Sequence, residues 1–164
     1  MAKRRLYSKT FWWVLGIGVA VFLVLCILGG EVFNWYDSLP WFDKALHFVS
    51  GAFFAIIGFA IGYKMARAKP KFIALFAFCF SVTISVLWEF YEFFMDSTFG
   101  TNMLRWQDKD TSARGLGAGL TDTMWDLILG TLAALITCFV GYLWLKRKAR
   151  TTPDEAQCPH DAQC

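Results

Sequence analysis

Four stretches of this chain, residues 11–30, 45–63, 72–94 and 123–145, are each apolar over about the twenty residues that cross ~30 Å of hydrocarbon at 1.5 Å per residue. A chain of 164 residues that is 57% hydrophobic carries more apolar surface than a soluble core of that size can bury. The bilayer is therefore its solvent, and only a helix satisfies its own backbone there one segment at a time. The expected fold class is all-α, a polytopic four-transmembrane-helix bundle. Residues 1–150 form one transmembrane domain, and residues 151–164 form a polar, disordered tail.

The first stretch follows Lys3, Arg4, Arg5 and Lys9, as a signal peptide would. It is too long for a signal-peptide core, however, and no small-x-small cleavage site follows, so it reads as a retained first helix. Basic residues also crowd Lys64, Arg67, Lys69 and Lys71 after the second stretch, and Lys146, Arg147, Lys148 and Arg150 after the fourth. The positive-inside rule places these clusters and both termini on the cytoplasmic side, N-in and C-in. Because the basic clusters are short and flank spans, nucleic acid is not an expected partner. The lipid bilayer is.

Cys26, Cys79 and Cys138 lie inside apolar stretches, where cysteine packs as a small hydrophobe. Cys158, His160 and Cys164 have a spacing that suits a soft metal but sit in the polar tail, where solvation is the simpler expectation. Gly58 with Gly62 and Gly130 with Ala134 present small surfaces at helical spacing, suited to close helix packing in lipid.

The chemistry lies in ionisable groups at the ends of three spans. Asp43 and His47 are four apart, Glu89 and Glu92 three apart with Asp96 four beyond, and Asp122 and Asp126 four apart, so each set shares a helix face. In the expected topology all of them fall within about two turns, roughly 10 Å, of the outer surface. Acids at a helix end can simply reach water, and Asp43, Asp96 and Asp122 fit that plain role. Glu89 and Asp126 do not, because each is flanked by large apolar residues and a carboxylate within a span costs ~2.5–3.5 kcal/mol unless paired or hydrated.

Carboxylates with an imidazole are a ligand set for a divalent metal, here Zn, Mn or Mg. The expected ligands are Asp43, His47, Asp122 and Asp126, with Glu89 or Glu92 as the catalytic base activating water on a lipid or cell-envelope substrate. The same groups would also serve a proton- or cation-coupled transporter, or fix helix packing in a membrane scaffold. A transporter this small has little room for an aqueous path and would work as a homodimer. Arg105 and Arg114, ahead of Gly115, Gly117 and Gly119, form a candidate anion-binding approach to the fourth helix, although a flexible lead-in explains the glycines as well.

Three short motifs, Asp43-Lys44-x2-His47-Phe48, Trp88-Glu89-x2-Glu92 and Asp122-Thr123-x-Trp125-Asp126-Leu127, resemble the YjdF-like family of bacterial inner-membrane proteins over residues 43–135. They are more distantly similar to the VanZ-like family, which is associated with glycopeptide resistance. The resemblance implies a multi-pass protein of the bacterial inner membrane. It supports the choice of residues and specifies no reaction.

Overall fold

The structure is a computed structural model that describes residues 9–33, 35–39, 41–65, 69–109 and 115–151. Arg114, the basic residues ahead of Lys9, and the tail with Cys158, His160 and Cys164 lie outside the described residues. Helix α1 (Lys9–Val24) runs directly into a wider π-helical segment, Leu25–Val32. A short helix α2 (Trp35–Ser38) then leads into α3 (Phe42–Met65), α4 (Pro70–Phe99) and α5 (Ala118–Thr151). No strand occurs among the described residues, and four helices are long and apolar enough to cross a membrane, as the sequence pattern predicts.

Local chemistry sets the ends of α4. Pro70 occupies its first turn after an extended Lys69, where the missing amide hydrogen costs nothing. Gly100 closes it in the left-handed conformation at φ 68°, its N–H donating to the Asp96 carbonyl at 3.1 Å.

Helices α3, α4 and α5 pack on one another, while α1 lies at their side with no buried residue over Lys9–Val24. The buried residues of α4, Ile73, Ala77, Ser81, Ser85, Glu89, Glu92 and Asp96, form one stripe at three- and four-residue spacing along the whole helix. Its polarity is graded. Toward the Pro70 end it joins Ala55, Ala134 and Cys138 in a small-residue core backed by Phe59 and Phe78. In the middle Ser81 Oγ donates to the Gly51 carbonyl at 2.7 Å. At the Asp96 end it is acidic.

Small residues let the three helices close up. A Cβ on Gly51 would stand 2.2 Å from the Gly130 carbonyl oxygen, so α3 and α5 touch backbone to backbone there. Gly58 meets the Ala77 backbone of α4 in the same manner, at 2.7 Å from an added Cβ. These contacts bring one turn of each helix to a common level just beyond the Gly51–Gly130 crossing.

Candidate functional site

Asp43, Lys44 and His47 occupy the first turns of α3, Glu89, Glu92 and Asp96 the last turns of α4, and Asp122 and Asp126 the first turns of α5. Because α4 runs against the other two, all arrive at one end of the bundle. The six acids and the histidine are buried there, from 9% exposed at Asp122 to 1% at Asp126. A group of charges so far from water is stable only if its members are paired or hydrogen-bonded.

The aspartates find a partner that the sequence reading did not assign. Lys44 Nζ donates to Asp122 Oδ1, to Asp126 Oδ2 at 2.8 Å and to Asp43 Oδ2 at 3.2 Å. Asp43, Asp122 and Asp126 offer oxygens within 4.8 Å of one another, a cation-sized arrangement, and the lysine ammonium already bridges these three carboxylates. The signal was in the sequence, since Lys44 is a cation at the end of the bundle that lacks the basic clusters.

On the other side of Asp126 the geometry is more open. His47 Nδ1 stands 3.7 Å from Glu89 Oε1, and Nε2 stands 3.6 Å from Asp43 Oδ1 and 4.0 Å from Glu92 Oε1. These separations are too long for hydrogen bonds. They are close to the ~3.4 Å between two ligand atoms that each sit ~2.1 Å from a tetrahedral metal. Two donor sets share the histidine: His47, Glu89 and Asp126, and Asp43, His47 and Glu92.

Hydrogen bonding separates the two sets. Glu92 Oε1 accepts from Trp88 Nε1 at 2.7 Å, and Asp43 accepts from Lys44. Both oxygens of Glu89 and Oδ1 of Asp126 are buried with no hydrogen-bond partner. The Thr123 hydroxyl approaches Glu89 without closing a bond of normal geometry. Among the described residues, Asp43, Glu89, Glu92, Asp122 and Asp126 gather around one ammonium, that of Lys44, a balance that protons or a bound cation would complete.

Asp96 serves a different purpose. Its carboxylate accepts from the Met103 N–H at 2.8 Å, the Leu104 N–H at 2.9 Å and the Thr101 hydroxyl, which folds the segment after α4 back over the helix end. That segment then rests on α5, where a Cβ on Gly119 would meet the Leu104 carbonyl at 3.1 Å. Arg105, expected to attract an anion, donates from Nε to Asp108 Oδ2 at 2.7 Å. Burial works against both charges, yet this contact holds the Asp108 carboxyl below its usual range and the Arg105 guanidinium above its own. Beside the cluster, burial also pushes the Tyr36 phenol of α2 well above its ordinary value.

The family described as Predicted membrane protein (DUF2238) matches residues 2–147 of the chain. No curated protein and no solved structure gives a match.

Proposed function

We propose that this chain, which belongs to the DUF2238 family of predicted membrane proteins, holds a divalent cation between His47, Glu89 and Asp126 and uses it on a lipid or cell-envelope substrate of the bacterial inner membrane. The observation that carries the reading is the set of buried, unpartnered oxygens, both of Glu89 and Oδ1 of Asp126, beside one imidazole. Two carboxylates and a histidine suit Zn or Mn better than Mg, which prefers oxygen and water throughout. Three protein ligands leave coordination positions for water and substrate.

A cation there would polarise an ester or phosphoester oxygen and ease deprotonation of water. Glu92, oriented by the Trp88 indole, is the carboxylate left to take the proton as the water oxygen bonds to carbon or phosphorus. The proton then passes to the departing alkoxide. Asp43, facing His47 Nε2, would fix the imidazole so that Nδ1 turns to Glu89. Lys44 draws Asp43 and Asp122 away from the cation and leaves Asp126 as the carboxylate common to both halves.

Elemental analysis of the detergent-purified protein, wild type beside a Glu89→Gln, Asp126→Asn double variant, tests this directly. Near-stoichiometric metal in the wild type alone is the expected result. Metal absent from both, even after addition of Mn or Zn, would sink the proposal in favour of a structural role, for which the Lys44 network is the supporting observation.

A further inference from the structure

Helix α1 contributes no buried residue over Lys9–Val24, yet it is fastened near both ends. Near its start the Trp12 ring lies under Lys64 Nζ, 4.1 Å from the centroid. Beyond its end Cys26 hydrogen-bonds Tyr36, and the rings of Trp35 and Tyr36 pack on Phe42 with centroids 5.3 and 5.6 Å away. Between these fastenings a cleft separates α1 from α3 and α4. Its apolar walls are Phe22 and Leu23 of α1, Phe53 and Phe54 of α3, and Ile84 and Trp88 of α4. Asp43, His47, Ser50 and Ser85 line the same cleft.

We infer that this cleft receives a hydrocarbon chain of the substrate, drawn sideways from the bilayer, and delivers its polar end to His47. The inference rests on the lipid-substrate reading above and adds where and how such a molecule enters. The first ground is depth. From Asp43 to Phe54 the α3 wall rises roughly 16 Å, about half the hydrocarbon thickness, so the phase outside the cleft is acyl chain rather than water.

Size is the second ground. The cleft has about 70 Å³ of room, far below the ~300–1,000 Å³ of pockets that enclose a whole small ligand, so it suits a segment of one chain. A headgroup is therefore left at the Asp43 and His47 end. The third ground is that the wall hydroxyls are already satisfied. Ser50 Oγ donates to the His47 carbonyl at 3.0 Å and Ser85 Oγ to the Ser81 carbonyl at 3.3 Å, so hydrocarbon can lie against them without stranding a donor. Continuity is the fourth, because His47 belongs both to the cleft wall and to the donor set with Glu89 and Asp126.

The test uses the full chain in phosphatidylethanolamine–phosphatidylglycerol vesicles containing a phospholipid with a diazirine in the middle of one acyl chain. After irradiation, adducts are mapped by peptide mass spectrometry in wild type, in Val19→Trp, which fills the cleft, and in Ile17→Trp, on the exposed face of the same helix. Adducts should concentrate on the α1 and α3 cleft walls, several-fold above the exposed Phe139 and Val140 of α5. Val19→Trp should remove that excess and Ile17→Trp should not. Equal labelling of cleft and α5, or an excess untouched by Val19→Trp, would overturn the inference and leave only annular lipid. Metal content of the same samples separates the two proposals. Cleft labelling in metal-free protein supports the chain site and removes the cation, whereas bound metal without cleft labelling does the reverse.

Discussion

Lys44 Nζ lies 2.8 Å from Asp126 Oδ2, which ties the start of α3 to the most buried carboxylate of the bundle across 82 residues of sequence. Removing one member of a buried ionic group leaves the others uncompensated and typically costs ~3–5 kcal/mol. Lys44→Met is expected to lose that much stability, read as a drop in the thermal unfolding midpoint in detergent. Adding Asp122→Asn should restore a large part of it. Strict additivity of the two substitutions in a double-mutant cycle would show that they do not share a network.

Glu89 has the opposite expectation, because neither of its oxygens has a hydrogen-bond partner. Glu89→Gln removes a buried acid that no hydrogen bond satisfies in the metal-free protein. With chelator present the variant should be as stable as wild type or more stable by ~1 kcal/mol or above. With Mn or Zn present the order should reverse, since only the wild type gains stability from binding. Thermal melts with and without metal decide it, and a variant weaker than wild type in chelator would mean that Glu89 already has a partner.

Gly51→Ala drives a methyl group to within 2.2 Å of the Gly130 carbonyl oxygen, a backbone atom that cannot swing aside. Separating α3 from α5 should cost ~1–3 kcal/mol. It should also weaken metal binding, because His47 and Asp126 each lie one turn from the contact. Gly16→Ala, with nothing within 4 Å of the added methyl, is the matched control and should leave the melting midpoint unchanged or slightly raised.

The Arg105–Asp108 pair gives the segment after α4 a pH dependence of definite sign. Asp108 has a folded pKa below its unfolded value of ~3.9, so its contribution is complete at neutral pH and is lost as pH falls through the folded value. The pair is about one-third exposed at Asp108, which holds the effect to ~1 kcal/mol or less. Amide exchange at Gln107 and Asp108, corrected for intrinsic rate, should therefore accelerate only at the acid end of a titration. Asp108→Asn should abolish that acceleration, whereas Asp96→Asn, which weakens the bonds to the Met103 and Leu104 amides, should accelerate exchange there even at neutral pH.

The four membrane-crossing helices and the gathering of acids at one end were legible in the sequence, because apolar length and three- or four-residue spacing are properties of single segments. Glu89 and Asp126 stood out because large apolar neighbours gave them no local route to water, and they are the carboxylates with unpartnered buried oxygens. The pairing of Lys44 is not legible in the sequence, since its partners Asp122 and Asp126 lie 78 and 82 residues away and helical periodicity does not report such pairs. Asp96 shares the helical spacing of the other acids of α4. Its use in holding Met103 and Leu104 depends on the path of an irregular segment, which no periodic pattern encodes. Ser81 and Ser85 continue the acidic stripe of α4 at the same spacing, and a reading that followed the stripe past its charged members would have found them.

The bare contact of Gly51 with Gly130 also fixes where a fulcrum between α3 and α5 would lie. No side chain of α3 or α5 stands between the two glycines, so a tilt of α3 on α5 would turn about a point only four residues from His47 and four from Asp126. A tilt of ~10° would then displace these two residues by only ~1 Å on a ~6 Å arm, while Lys64, on a ~20 Å arm, would sweep ~3.5 Å. The short arm belongs to the acids and the long arm to the opposite end of the bundle, so such a tilt would leave the donor atoms close to their spacing.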